Sequence, residues 1–200
     1  MSDWRTSEGE SGRPGLPALV VVSGPMGSGK TTLAHRIGQA MGCPAICRDE
    51  IKEGMVHATP GFVAGPGDEL TMRTLPVFFG VLELLLRAGV TTVAEAAFQD
   101  KVWRPRLEPL RELAEIRIVH CVVAGDVAFR RGVRRGEENP LRAAHADPGA
   151  GDEARSVRAH QAFHRVSIEA PWIEVDTTDG YRPGLPDIVA FASRGLAPGR

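Results

Sequence analysis

The sequence predicts an α/β fold: a three-layer sandwich with a five-stranded parallel sheet and a small helical lid. Three observations carry this. Ala18-Leu19-Val20-Val21-Val22 is a continuous apolar, β-branched run, which suits a strand covered on both faces. Further strand-like segments alternate with helical ones along the chain, the pattern of a parallel sheet with right-handed crossovers. The first strand runs through a glycine-rich turn, starting Ser23-Gly24, into an amphipathic helix. With 200 residues, the chain has enough length for one core rather than two.

Each element follows in order. Residues 1–16 are polar and read as a disordered leader, with residues 17–200 as a single domain. After the first strand, residues 30–41 place Leu33, Ala34, Ile37 and Met41 on one helical face, and Gly42 supplies the stop. Residues 44–47 make a short second strand. Residues 54–68 are rich in glycine and proline and read as a loop or lid. Asp68 is placed to cap a long helix running through Ala88, kinked near Pro76. Residues 90–94 are a third strand, 103–114 a helix, and 116–123 a fourth strand. Asp126 opens a helix carrying Arg130, Arg131, Arg134 and Arg135. Residues 136–151 read as a polar, mobile loop, 152–169 as a helix, 172–175 as the fifth strand and 186–193 as a last helix.

Composition narrows the function. Hydrophobic residues make up 42% and charged residues 24%, so a wholly disordered or fibrous chain is excluded. The net charge of −1 lacks the basic excess typical of a protein that lives on nucleic acid. Cys43, Cys47 and Cys121 form no disulfide or zinc framework, which fits a reduced, cytoplasmic setting. No signal peptide is apparent, and the most apolar stretch, residues 77–86, is too short to span a bilayer.

Gly24-Pro25-Met26-Gly27-Ser28-Gly29-Lys30-Thr31 fits G-x-x-x-x-G-K-[S/T] at every fixed position, and Thr32 continues into the helix. Glycines let the backbone curl so that successive N–H groups converge on an anion, assisted by the positive end of the following helix. Lys30 reaches the outer phosphates and the Thr31 hydroxyl offers a ligand to Mg²⁺. No Asn-Lys-x-Asp element is present to read guanine, so the expected nucleotide is ATP.

The phosphate loop, with Arg48-Asp49-Glu50-Ile51-Lys52 just past the second strand, makes the chain resemble small P-loop kinases of the AAA-type ATP-binding group. That set includes zeta toxins, chloramphenicol phosphotransferase and the kinase module of polynucleotide kinases. The resemblance runs from Leu19 to about Glu137, with a weaker match at residues 172–180. It implies that Asp49 receives the proton of the acceptor hydroxyl and that Lys52 steadies substrate or phosphate, although the family often has Arg there. It also implies that Glu95 supports the Mg²⁺ shell or touches the acceptor, and that arginines of the lid close over the phosphates. Arg130 and Arg134 are the favoured lid pair, with the Arg131 and Arg135 face left open. The turn at 176–180, including Thr177, is expected near the adenine.

Physical readings stand beside these. Asp49 at the carboxyl end of a parallel strand lies on the edge where ligands bind; the alternative is a cap for a helix starting at Glu50, and the two roles can coexist. Glu95 could instead pair with Arg104. His160 and His164, spaced i,i+4 on a predicted helix, are a minor candidate for zinc without an evident third ligand.

Residues 49–80 should form most of the acceptor pocket. Asp49, Glu50, Glu53, Asp68 and Glu69 against Lys52 and Arg73 give that segment a charge of −3, a poor match for polynucleotide phosphates. Met55, Val56, His57, Phe62 and Val63 add apolar surface. The expected reaction is transfer of the γ-phosphate of ATP to a hydroxyl of a small molecule such as a sugar, nucleoside or antibiotic. A nucleic-acid 5′-hydroxyl kinase and a non-catalytic nucleotide switch are the alternatives. The partner is then a small acceptor, nucleic acid is disfavoured, and the chain is a monomer or homodimer.

Overall fold

The computed structural model describes residues 15–65, 67–145 and 150–194. The expected leader therefore falls almost wholly outside the described residues. Five strands form one sheet: β1 (Ala18–Ser23), β2 (Ala45–Cys47), β3 (Thr92–Glu95), β4 (Glu115–Val122) and β5 (Trp172–Asp176). Their order is β2-β3-β1-β4-β5, and every pairing is parallel. Strand β1 is central and buried throughout, as its unbroken apolar run requires.

Alternation along β1 feeds two cores. Leu19 and Val21 join Phe78, Leu82, Phe98 and Trp103 on one face. Val20 and Val22 join Leu33, Ile37, Ile188 and Phe191 on the other. Phe98 comes from the connection between the third strand and the next helix, and the other partners come from the helices α1 (Lys30–Met41), α3 (Glu69–Arg87), α4 (Asp100–Leu107) and α7 (Leu185–Ala192). The three-layer sandwich is thus as expected.

Between β2 and α3 lies α2 (Arg48–His57), and beyond β4 come α5 (Gly125–Glu138) and α6 (Glu153–Gln161). Helix α1 has the expected bounds and ends at a Gly42 C-cap with φ 67°, and α3 has the expected cap, where the Asp68 carboxylate accepts from Thr71 N. Three expectations are corrected. The loop expected from residue 54 begins only after His57, because α2 continues through Gly54. The helix expected over 152–169 ends at Gln161, leaving His164 outside it, and His160 Nε2 lies 2.8 Å from the Val123 carbonyl. Finally, the stretch read as a mobile loop contains a 3-10 helix, Pro140–Ala144. Asn139 caps it through Leu141 N at 3.0 Å, and Pro140 sits in the first turn, where a missing N–H costs nothing.

Among the described residues, no helix is long and apolar enough to cross a membrane.

Candidate active site

The strand carboxyl ends gather the candidate residues. Strand β1 ends at Ser23 and the chain turns through residues 24–29 into α1. The register pairs Val22 with Glu95 and Cys47 with Glu95, so β1, β2 and β3 end level with one another. Ligands bind on this edge of open parallel sheets.

The phosphate loop is shaped by its surroundings. Gly29 has φ 73° and Gly27 has φ 76°, the left-handed region that glycine tolerates. A Cβ on Gly27 would lie 2.2 Å from the Ala128 carbonyl oxygen, so α5 packs directly on the loop. Thr177, just past the end of β5, supports it: its hydroxyl donates to the Ser28 carbonyl at 2.8 Å. Thr177 is buried, so it braces the loop rather than lying open beside a base. Ser28 Oγ is buried without a hydrogen-bond partner among the described residues. A curled glycine cradle with an unsatisfied buried hydroxyl fits a bound phosphate chain. Pro25 is buried in the loop, Met26 partly so, and Thr32 is exposed on the first turn of α1.

Glu95 is the hub of the site. It is 2% exposed, its Oε2 accepts from the Thr31 hydroxyl at 3.1 Å, and its Oε1 lies 3.7 Å from Lys30 Nζ. Burial pushes its carboxyl upward, Lys30 pulls it down, and the charge of Asp49 raises it again. The alternative partner, Arg104, is 3.6 Å from Asp100 instead.

Asp49 is not a helix cap. The first residue of α2 is Arg48 and Cys47 is its N-cap, so Asp49 sits inside the first turn. Burial alone would raise its carboxyl. His145, Lys30, Arg48 and Arg142 outweigh that and hold it at about 2. Arg48 Nη1 donates to Oδ1 at 3.0 Å, and Arg142 Nη1 approaches Oδ2 at 3.5 Å. Asp49 follows closely on β2, whose last residue Cys47 is level with Glu95, so it stands on the same sheet edge as the phosphate loop.

Lys52 departs from the expected role. Its ammonium is buried and lies 2.8 Å from Asp68 Oδ2, with the Phe62 ring 5.6 Å away. Since the other Asp68 oxygen caps α3, Lys52 ties α2 to α3 rather than facing a phosphate. The lid arginines are also rearranged. Arg130 pairs with Asp126 at 2.9 Å and Arg134 with Glu138 at 3.8 Å, both on the exposed face of α5. Arg131 turns inward and donates to the carbonyls of Thr177 and Thr178 at 2.8 and 2.9 Å.

Arg142 and His145 were not among the sequence-derived site residues, and Glu53 entered only through the charge of the acceptor segment. Arg142 lies on the 3-10 helix, is 8% exposed, and sits 3.6 Å from Glu53 Oε1 as well as against Asp49. His145 Nε2 is 3.1 Å from the same Glu53 oxygen. The Asn-Pro pair that starts the 3-10 helix was the available signal. Its partners, more than 90 residues distant in sequence, were not readable.

Residues 19–161 match the AAA domain family. The chain belongs to that family. Membership of this P-loop family implies nucleotide binding, and the fold is that of small P-loop kinases. One similar protein is a shikimate kinase of Corynebacterium efficiens, 33% identical over 117 residues, covering 58% of this chain and 63% of that protein. Another is a tRNA dimethylallyltransferase of Phenylobacterium zucineum, 26% identical over 209 residues, covering 92% and 64%. The chain thus spans just under two thirds of the length of these curated relatives. Among solved structures, a candidate kinase of Chloroflexus aurantiacus has a TM-score of 0.81 at 22% identity, covering 91% of this chain and all of that one.

Proposed function

We propose that the chain is an ATP- and Mg²⁺-dependent phosphotransferase that moves the γ-phosphate to a hydroxyl of a small molecule. The observation that carries this is the grouping of Lys30, Thr31, Glu95 and Asp49 on one sheet edge. A phosphate-holding cation, two oxygen ligands for a metal and an ionised carboxylate stand together there.

The roles follow from chemistry. The loop amides and Lys30 bind the phosphates. Thr31 and Glu95 would hold Mg²⁺, which when bound neutralises charge on the phosphate oxygens. Asp49 orients the acceptor hydroxyl and takes its proton. Because its carboxyl is held near 2, it contributes position more than basicity. Arg131 holds the 177–178 turn that braces the loop.

The two curated relatives are named for different acceptors, so resemblance does not choose between a small molecule and a polynucleotide. The site favours the former. Lys52 is committed to Asp68, and Arg142 is buried between Asp49 and Glu53. These cations are engaged by carboxylates, and the acceptor segment stays acidic, which suits a neutral or cationic compound better than a phosphate-rich strand.

The test is a labelled-ATP transfer screen over hydroxyl metabolites, antibiotics and oligonucleotides, with Asp49→Ala alongside. The variant is expected to keep nucleotide affinity and lose at least ~100-fold in transfer, the scale of a positioned general base. Transfer to oligonucleotides alone would refute the acceptor class. Equal turnover by the variant would remove Asp49 from the mechanism.

A further inference from the structure

Outside the phosphate site, three elements bring metal-ligating side chains together. His35 lies on α1, one turn beyond Thr31. Cys47 is the last residue of β2, and Glu50 lies in the first turn of α2. Their ligand atoms all fall within 4.8 Å of one another. His35 Nε2 is 2.7 Å from Glu50 Oε1 and 3.6 Å from Cys47 Sγ. The thiol is buried, whereas the imidazole and the carboxylate are about half exposed, so the cluster opens to solvent on one side.

From this convergence we propose that His35, Cys47 and Glu50 form a zinc site, with a water molecule in the fourth position. The spacing supports it. Tetrahedral zinc, with Zn–S about 2.3 Å and Zn–N about 2.0–2.1 Å, sets sulfur and nitrogen about 3.6 Å apart. That is the separation found here between Cys47 Sγ and His35 Nε2. Nitrogen and oxygen ligands would stand about 3.3 Å apart, so the Glu50 carboxylate has to retreat by roughly 0.6 Å. An exposed glutamate in the first turn of a helix has that freedom.

The donor set also selects the ion. One thiolate, one imidazole and one carboxylate suit borderline-soft zinc, whereas Mg²⁺ prefers oxygen ligands alone. The proposed site thus differs in donor chemistry from the Thr31 and Glu95 pair but adjoins it, since Cys47 is the register partner of Glu95 and its thiol lies against that carboxylate. On binding, the Cys47 S–H bond breaks, its proton goes to solvent, and the thiolate forms the Zn–S bond.

The test uses the full-length chain, freed of metal by chelation, kept reduced and without nucleotide. It is titrated with Co²⁺ as a spectroscopic substitute and then with Zn²⁺. One Co²⁺ per chain should bind, giving a near-ultraviolet thiolate-to-cobalt charge-transfer band and intense four-coordinate visible bands, all bleached by zinc. Cys47→Ser should remove the charge-transfer band. His35→Ala, at an exposed position that folding tolerates, should weaken Zn²⁺ binding by more than the roughly 10–100-fold lost with an outer partner. Cys43→Ser should leave both signals intact. A wild type without the thiolate band, a band that survives Cys47→Ser, or His35→Ala with undiminished affinity would each overturn the site. Because neither ATP nor an acceptor is present, these outcomes are independent of the phosphotransferase reading.

Discussion

Replacing Lys52 with methionine separates two roles for one residue. Methionine keeps much of the apolar stem and removes the charge, so the change isolates the Lys52–Asp68 pair. Both side chains are largely buried and the contact is 2.8 Å. Truncating one partner of a buried ion pair costs roughly 3–5 kcal/mol. Asp68 would still accept from Thr71 N at 2.7 Å and Gly65 N at 3.3 Å. The lower end, about 3 kcal/mol, is therefore expected. For a chain of this size, each kcal/mol shifts Tm by roughly 2–4 °C, which gives a loss of about 6–12 °C.

The loss should depend on pH. Burial raises the Asp68 carboxyl, but Lys52 and the backbone N–H groups of Thr71 and Gly65 bring it down to about 2 from 3.8. A depressed folded-state value adds stability above the unfolded value, and that stability disappears as pH falls toward 2. The gap in Tm between wild type and Lys52→Met should thus be widest near neutrality and narrow below pH ~4. Calorimetric melts at several pH values measure both effects. A variant that melts within ~1 °C of wild type yet has lost phosphate transfer would refute the structural role and return Lys52 to the phosphates.

Other outcomes follow from the same contacts. Lys30→Ala should weaken ATP binding or reduce turnover at least ~100-fold, measured by calorimetry and labelled-ATP transfer; unchanged values would contradict the assigned phosphate role. Gly27→Ala must move either the loop or α5, since its Cβ would meet the Ala128 carbonyl at 2.2 Å with φ at 76°. Strain of roughly 1–3 kcal/mol should lower ATP affinity by ~10-fold or more, and an unaffected dissociation constant would show that the loop is not packed this way. Arg131→Ala should cost about 1–2 kcal/mol by releasing two carbonyls, whereas Arg130→Ala at its exposed pair should fall within ~0.5 kcal/mol. Equal effects in urea melts would mean that the two faces of α5 are not distinguished as the contacts indicate.

Features that depend on near neighbours along the chain were legible before folding. The β1 run, the phosphate loop, the α1 face with its Gly42 stop and the Asp68 cap are local patterns, and each appears where it was expected. The placement of Asp49 and Glu95 at strand carboxyl ends was legible for the same reason: strand ends are marked by composition. Tertiary structure alone decided which charge meets which. Lys52 and Asp68 are 16 residues apart, and whether that ammonium faces a phosphate or a carboxylate depends on how α2 packs on α3. Arg130 and Arg131 are adjacent, and only the docking of α5 on the phosphate loop turns one outward and the other toward Thr177. Arg142 reaches Asp49 across 93 residues because a 3-10 helix, not an open loop, carries it there. Charge pairing is set by distances of a few ångströms between side chains, and sequence separation carries no information about such distances once the chain has folded back on itself.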